Sequence, residues 1–171
     1  MLRLIGAGGL VLACGLMGIM KARQLKLRLA LLEDFLQMTL ALKGQISYFK
    51  EPLPEVFKKV DKRADSRACA LLAGLGDVME QKDAQIARFW PQKVAEIYKD
   101  MPLSAADREI FNYLGSFIGQ TDYENHLMHF AYMEQRLAAQ IEEARKELKS
   151  KAPMMRKLGF FLGAIPAVLL L

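Results

Sequence analysis

The chain opens and closes on stretches without charge, and between them apolar residues recur at helical spacing. Residues 4–20 (LIGAGGLVLACGLMGIM) are 17 residues with no charged side chain, and residues 158–171 (LGFFLGAIPAVLLL) are 14 more. A bilayer core takes roughly 20 apolar residues of helix, with about 17 as the lower limit. The first run meets that limit. The second is shorter, but it is apolar around its whole circumference and offers no polar face to water. Arg156 and Lys157 can snorkel to the headgroups from its start. Pro166 is tolerable in lipid where neighbours satisfy the freed carbonyl. The pattern predicts transmembrane helices over 1–20 and 154–171, flanking a helical domain over 21–153.

That central domain shows no run of alternating β-branched residues, so the expected fold class is all-α. The first helix is expected to continue out of the membrane from Lys21 to about Phe49. Its stripe would be Leu25, Leu29, Leu32, Leu36, Leu40, Lys43 and Ile46, with one polar break. Pro52, Leu53 and Pro54 end it as an interhelix turn, because a residue before proline avoids helical geometry. Glu55 to Arg63 forms a short second helix, with Pro54 near its first turn. Asp65 or Ser66 caps a third, reaching about Gln81. Asp83 caps a fourth to about Asp100, with a kink or break at Pro91. Ser104 to Asp107 is a near capping box opening a fifth helix to Ile118. Thr121-Asp-Tyr-Glu124 is a full capping-box pattern, opening a sixth helix to about Lys149. Six helices with short connections predict an antiparallel bundle.

Charge sharpens the membrane reading. The chain holds 24 basic and 19 acidic residues. Lys21, Arg23, Lys26 and Arg28 follow the first apolar run with no acid among them. Arg145, Lys146, Lys149, Lys151, Arg156 and Lys157 precede the second, opposed only by Glu147. The remaining residues 29–144 carry 13 basic and 18 acidic side chains, a net of −5. The excess of base is therefore juxtamembrane, and no basic face for nucleic acid is indicated. Lys- and Arg-rich loops stay in the cytoplasm, so the central domain is expected there, with both termini across the cell membrane. A cleaved signal peptide would need a small-x-small site before Lys21, which is missing. VLAC ending at Cys14 is a poor lipoprotein signal, because the apolar run continues past it. Cys14 and Cys69 are expected as free thiols in a reducing compartment.

Candidate chemistry is sparse. Leu114-Gly-Ser-Phe-Ile-Gly-Gln-Thr-Asp122 places Gly115 and Gly119 one turn apart at a helix end. No strand precedes it and no Gly-Lys-Ser/Thr follows, so a phosphate loop is not indicated. Gly119 suits a helix stop in left-handed geometry. Gly115 costs about 1 kcal/mol against alanine inside a helix, which a tight helix–helix approach could offset. His126 and His129 share a helix face but lack the His-Glu-x-x-His spacing of a zinc helix and have no cysteine cluster nearby. There is no Gly-x-Ser-x-Gly elbow. No enzyme, cofactor, metal or small-molecule substrate is indicated.

Three stretches carry a family resemblance. They are Gln45-Ile-Ser-Tyr-Phe-Lys-Glu-Pro-Leu-Pro-Glu-Val56, the Leu114 to Asp122 stretch with His129 beyond it, and Met155-Arg-Lys-Leu-Gly-Phe-Phe-Leu-Gly running to the C-terminus. In this order they resemble the stage III sporulation protein AB family of endospore-forming bacteria. Gln45, Phe49, His126, Lys157 and Pro166 depart from its usual pattern. The resemblance implies a small relative of the inner-membrane platform protein of type II secretion and type IV pilus systems. It also implies a place in the mother-cell membrane facing the forespore, in a channel assembly with a cytoplasmic ATPase. On that reading Gly115, Gly119 and Asp122 set the angle between the fifth and sixth helices, and with His126 and His129 shape the surface the ATPase meets. The rival readings are a membrane-anchored adaptor or regulator outside any secretion machine, and a lipoprotein whose helical domain lies outside the cell.

Overall fold

The structure, a computed structural model, describes the backbone of residues 2–49, 55–57, 66–72, 75, 78, 86–118 and 123–170. It describes the side chains of these residues other than 2–8, 10–12, 49, 87, 123–124, 156, 160 and 162–170. Every described element is helical: α1 (Leu2–Phe49), α2 (Arg67–Ala70), α3 (Ile86–Ile97), α4 (Ala105–Phe117) and α5 (Tyr123–Leu170). Residues 55–57 are helical too, so each of the six expected helices has described residues in helical conformation. The interhelix turn at Pro52, Leu53 and Pro54 lies outside the described residues, as do Gly119, Thr121, Asp122 and the side chain of Glu124.

Local chemistry explains where the helices begin. Ser66, rather than Asp65, caps α2: its hydroxyl accepts from the Cys69 amide at 3.0 Å. Asp34 of α1 takes a second orphan donor, the Ala68 amide, also at 3.0 Å. α4 opens on a complete capping box. The Ser104 hydroxyl accepts from the Asp107 amide at 3.1 Å, and the Ser104 amide donates to the Asp107 carboxylate at 2.8 Å. Two orphan amides are thereby satisfied reciprocally, with Asp in the place Glu more often takes.

Two helices differ from the sequence expectation. α3 runs through Pro91 without a break. α5 does not end near Lys149 but continues through Pro153 and Pro166 to Leu170. Proline removes one backbone bond to the carbonyl a turn earlier. Pro91 and Pro153 are both exposed, so neither ring is packed into the core.

The chain forms two compact units, Met1–Leu29 with Glu142–Leu171, and Ala30–Ile141. In the second unit α1 buries Leu31, Leu32, Phe35, Met38, Thr39, Leu42 and Ile46. This corrects the expected stripe, of which only Leu32 and Ile46 are buried, while Leu40 is exposed. Both sets have 3–4 spacing, and the aromatic core selects between them. Phe35 stacks on Phe111 of α4 with centroids 3.9 Å apart, and Tyr98 meets the same ring edge-on at 5.0 Å. Thr39 is accommodated because its hydroxyl donates to the Phe35 carbonyl at 2.8 Å. Lys43 pairs with Glu134 of α5 at 2.8 Å.

In the first unit α1 and α5 meet backbone to backbone. A Cβ on Gly18 would lie 2.6 Å from the Met155 carbonyl oxygen, and one on Gly159 would lie 2.8 Å from that of Cys14. Buried Ala22 and Ala152 continue the run of small side chains. One polar clamp accompanies this packing. Arg28 is buried and donates to Glu147 at 2.7 Å, with Glu143 at 3.9 Å. Lys151 binds the other Glu147 oxygen at 2.5 Å. Among the described residues no helix is long and apolar enough to cross a membrane. Residues 4–8 and 10–12 of the first apolar run, and 160 and 162–171 of the second, have side chains outside that description.

Candidate functional site

Of the residues singled out at the fifth and sixth helices, Gly115 packs against α3, while His126 and His129 meet Phe117, about 200° round α4 from Gly115. Gly115 is buried, and its missing side chain is filled by Trp90 of α3. A Cβ there would sit 2.5 Å from the Trp90 Cβ and closer still to two atoms of the indole. The Trp90 Nε1–H donates to the Phe111 carbonyl at 2.8 Å. Phe111 lies one turn before Gly115, so the indole lies against the α4 backbone, and only glycine leaves the room. This is the close helix–helix approach expected of Gly115. The indole N–H would otherwise be an unsatisfied buried donor.

Phe117, the last residue of α4, sits among side chains from the first turns of α5. It stacks on His129 at 4.8 Å and 15°, meets His126 at 5.9 Å, and meets Phe130 edge-on at 5.4 Å. His126 and His129 thus face one aromatic ring and share a helix face, as their spacing implies. His126 is buried and His129 half-buried. The His129 Nδ1 is hydrogen-bonded to the Tyr113 hydroxyl at 2.6 Å. Tyr113 also meets Tyr132 edge-on at 5.3 Å, and Arg136 lies over the Tyr132 ring at 5.8 Å. Burial raises the Tyr113 phenol above its ordinary value, and the Tyr132 phenol adds to the rise. Tyr113 is therefore a hydroxyl at neutral pH, a hydrogen-bonding partner for the imidazole rather than a base.

The arrangement is an aromatic seam with one tyrosine–histidine hydrogen bond, and it opens on a shallow groove lined by Glu109, Tyr113, Tyr132 and Arg136. Among the described residues no three His, Cys, Asp or Glu side chains come together in a geometry to hold a metal ion. The seam can position two helices and present a surface.

Of the flanking basic residues, Lys21, Arg23, Lys26 and Lys157 are exposed. Arg28 is instead the buried member of the Glu147 clamp. The Arg156 side chain lies outside the described residues. Sequence reasoning passed over Trp90, Tyr113 and Phe117. The first had a usable signal, since it is the only tryptophan in the chain and a large ring must find a partner of small volume. Tyr113 and Phe117 lie on either side of Gly115, a proximity that hinted at an aromatic face.

Residues 3–171 match the family described as Stage III sporulation protein AB (spore_III_AB). No curated protein and no solved structure matches the chain. The match covers nearly the whole length, including all three stretches that carried the resemblance and the α4–α5 region just described. The chain belongs to the stage III sporulation protein AB family.

Proposed function

We propose that this sporulation protein is a non-enzymatic, membrane-anchored platform subunit of a secretion-like channel complex between mother cell and forespore. Its two ends span the mother-cell membrane, its central helical domain lies in the cytoplasm, and that domain engages the ATPase of the complex. The antiparallel six-helix bundle serves as a rigid body for that contact, built without a catalytic constellation.

One observation carries the anchoring. The unit formed by the two chain ends exposes Leu16, Met17, Met20, Met154, Leu158 and Phe161, each about half or more accessible. Burying such a side chain is worth roughly 1.5–3 kcal/mol, and contiguous exposure on this scale marks a surface meant for lipid or protein. The basic residues flanking both apolar runs favour lipid, with their side of the membrane the cytoplasm. The aromatic seam supports the partner role, because it fixes α4 against α5 beside an exposed groove.

The test is fractionation of sporulating cells with an alkaline carbonate wash, followed by co-purification with the ATPase. The protein should stay in the membrane pellet and bring the ATPase with it. A Gly115→Leu protein that remains folded should lose the ATPase. Release by carbonate, or unaltered ATPase recovery with a stable Gly115→Leu protein, would overturn the corresponding half of the reading.

A further inference from the structure

The unit formed by the chain ends holds a second feature that the platform reading does not use. Where α1 crosses α5, Gly18 and Gly159 bring the two backbones into direct contact. Beside it runs an open groove of about 200 Å³. Met17 and Lys21 of α1 form one wall, and Met155 and Leu158 of α5 form the other. Cys14 lies at the end away from Lys21. From Cys14 to Lys21 the helix advances about 10 Å.

The groove is polar at one end only. Lys21 supplies a cation there, and among the described residues every other lining side chain is apolar or a thiol. Around that end basic side chains are in excess. Lys21, Arg23, Lys26 and Lys157 are exposed, Lys151 is paired with Glu147, and residues 1–32 and 148–171 contain no Asp or Glu. An occupant must therefore be apolar along its length and anionic where it meets Lys21. A second copy of the chain fits poorly. A two-fold contact repeats the same patch on both partners, which sets this basic collar against its own image.

We propose that the groove binds one anionic phospholipid, an acyl chain lying over the Gly18–Gly159 crossing and the headgroup phosphate on Lys21. Basic pockets between membrane helices on the cytoplasmic side recognise such headgroups. The lipid covers the apolar groove beside the crossing and pairs its phosphate with Lys21. This inference rests on the anchored reading of the chain ends.

The experiment is native mass spectrometry of the full chain released from detergent, with phosphatidylglycerol or phosphatidylcholine of identical acyl chains. One basic contact near an anionic headgroup is worth about fivefold in retention. A single phosphatidylglycerol should therefore be retained about fivefold over phosphatidylcholine. Lys21→Gln should bring the two to parity, and Lys21→Arg should keep the preference. Leu158→Trp should fill the groove and remove the retained lipid. Lys21 is exposed, so its variants stay informative even if the tryptophan disturbs packing. Equal retention of the two lipids by the unaltered chain, or an undiminished preference in Lys21→Gln, overturns the proposal. A dimer that Leu158→Trp dissolves while phosphatidylglycerol retention persists overturns it in favour of a second copy. The carbonate wash separates the two layers. A chain that stays in the pellet but shows no lipid preference loses only this site, whereas a chain that washes out loses the anchored reading as well.

Discussion

Gly115→Ala separates two principles that point in opposite directions. Within a helix, glycine to alanine is worth about 1 kcal/mol of stabilisation. At this position the new methyl would fall within bonding range of the Trp90 side chain. Trp90 is fully buried and its N–H is held by the Phe111 carbonyl at 2.8 Å, so it has no free direction of retreat. Overpacking a well-filled core costs typically 1–3 kcal/mol, and losing the indole hydrogen bond adds about 1 kcal/mol. Set against the gain in helix propensity, the net effect is a loss of about 1–3 kcal/mol. Urea unfolding of the full chain in micelles measures it, with Trp90 fluorescence as the local reporter. The control is the same substitution in a Trp90→Gly background, which removes the Cβ 2.5 Å away as well as the indole, followed by far-UV circular dichroism. There the clash is largely gone, and Gly115→Ala should be neutral or stabilising, a coupling of at least 1 kcal/mol in the double-mutant cycle. Stabilisation of the unaltered chain by Gly115→Ala would refute the argument, for it would mean that α3 and α4 do not meet here.

Two further outcomes follow from the same contacts. Phe117 is 3% exposed and touches both histidines and Phe130, so Phe117→Ala should cost about 3–5 kcal/mol in the same unfolding measurement; a cost under about 1 kcal/mol would remove the seam as a structural element. The Glu147 carboxyl is held below its ordinary value of 4.5, first by the Lys151 hydrogen bond and further by Arg28, against a smaller opposing effect of burial. Its folded-state value lies below the unfolded one, so its stabilisation is present above about pH 4.5 and lost as pH falls through the folded value. The gap in urea midpoint between the unaltered chain and Glu147→Gln should therefore be wide at neutral pH and close on acidification, and a gap that does not change with pH would contradict the clamp.

The helical class was legible because strand signals are missing and capping chemistry is explicit. Ser104 with Asp107 marked the start of α4 to the residue. Gly115 was legible as a close approach, but its partner was not. Trp90 lies 25 positions earlier in the chain, and no periodicity connects the two. The face of α1 was misread for a different reason. Leucines and other apolar residues occur on nearly every side of residues 25–46, so several stripes satisfy the same spacing. Only the stack of Phe35 on Phe111 fixes which one turns inward, and that is a tertiary fact.

The prolines carry the same lesson further. Pro91 read as a kink or break, and the sixth helix as ending near Lys149, before Pro153, yet both prolines sit inside helices. The sequence signal concerns a lost N–H and a steric clash, both local. Whether the helix ends depends on what the rest of the helix gains by continuing. For α5 the gain is visible on either side of Pro153. Ala152 is buried beside it, Glu147 binds Arg28 and Lys151 a turn and more before it, and Gly159 meets Gly18 six residues after it. A break at Pro153 would put these contacts out of register. An interior proline costs about 3 kcal/mol or more, and the part-buried ion pair and the backbone packing at Gly18 and Gly159 are together set against it. The contacts with α1 thus outweigh the local preference, and α5 stays a single helix from Tyr123 to Leu170.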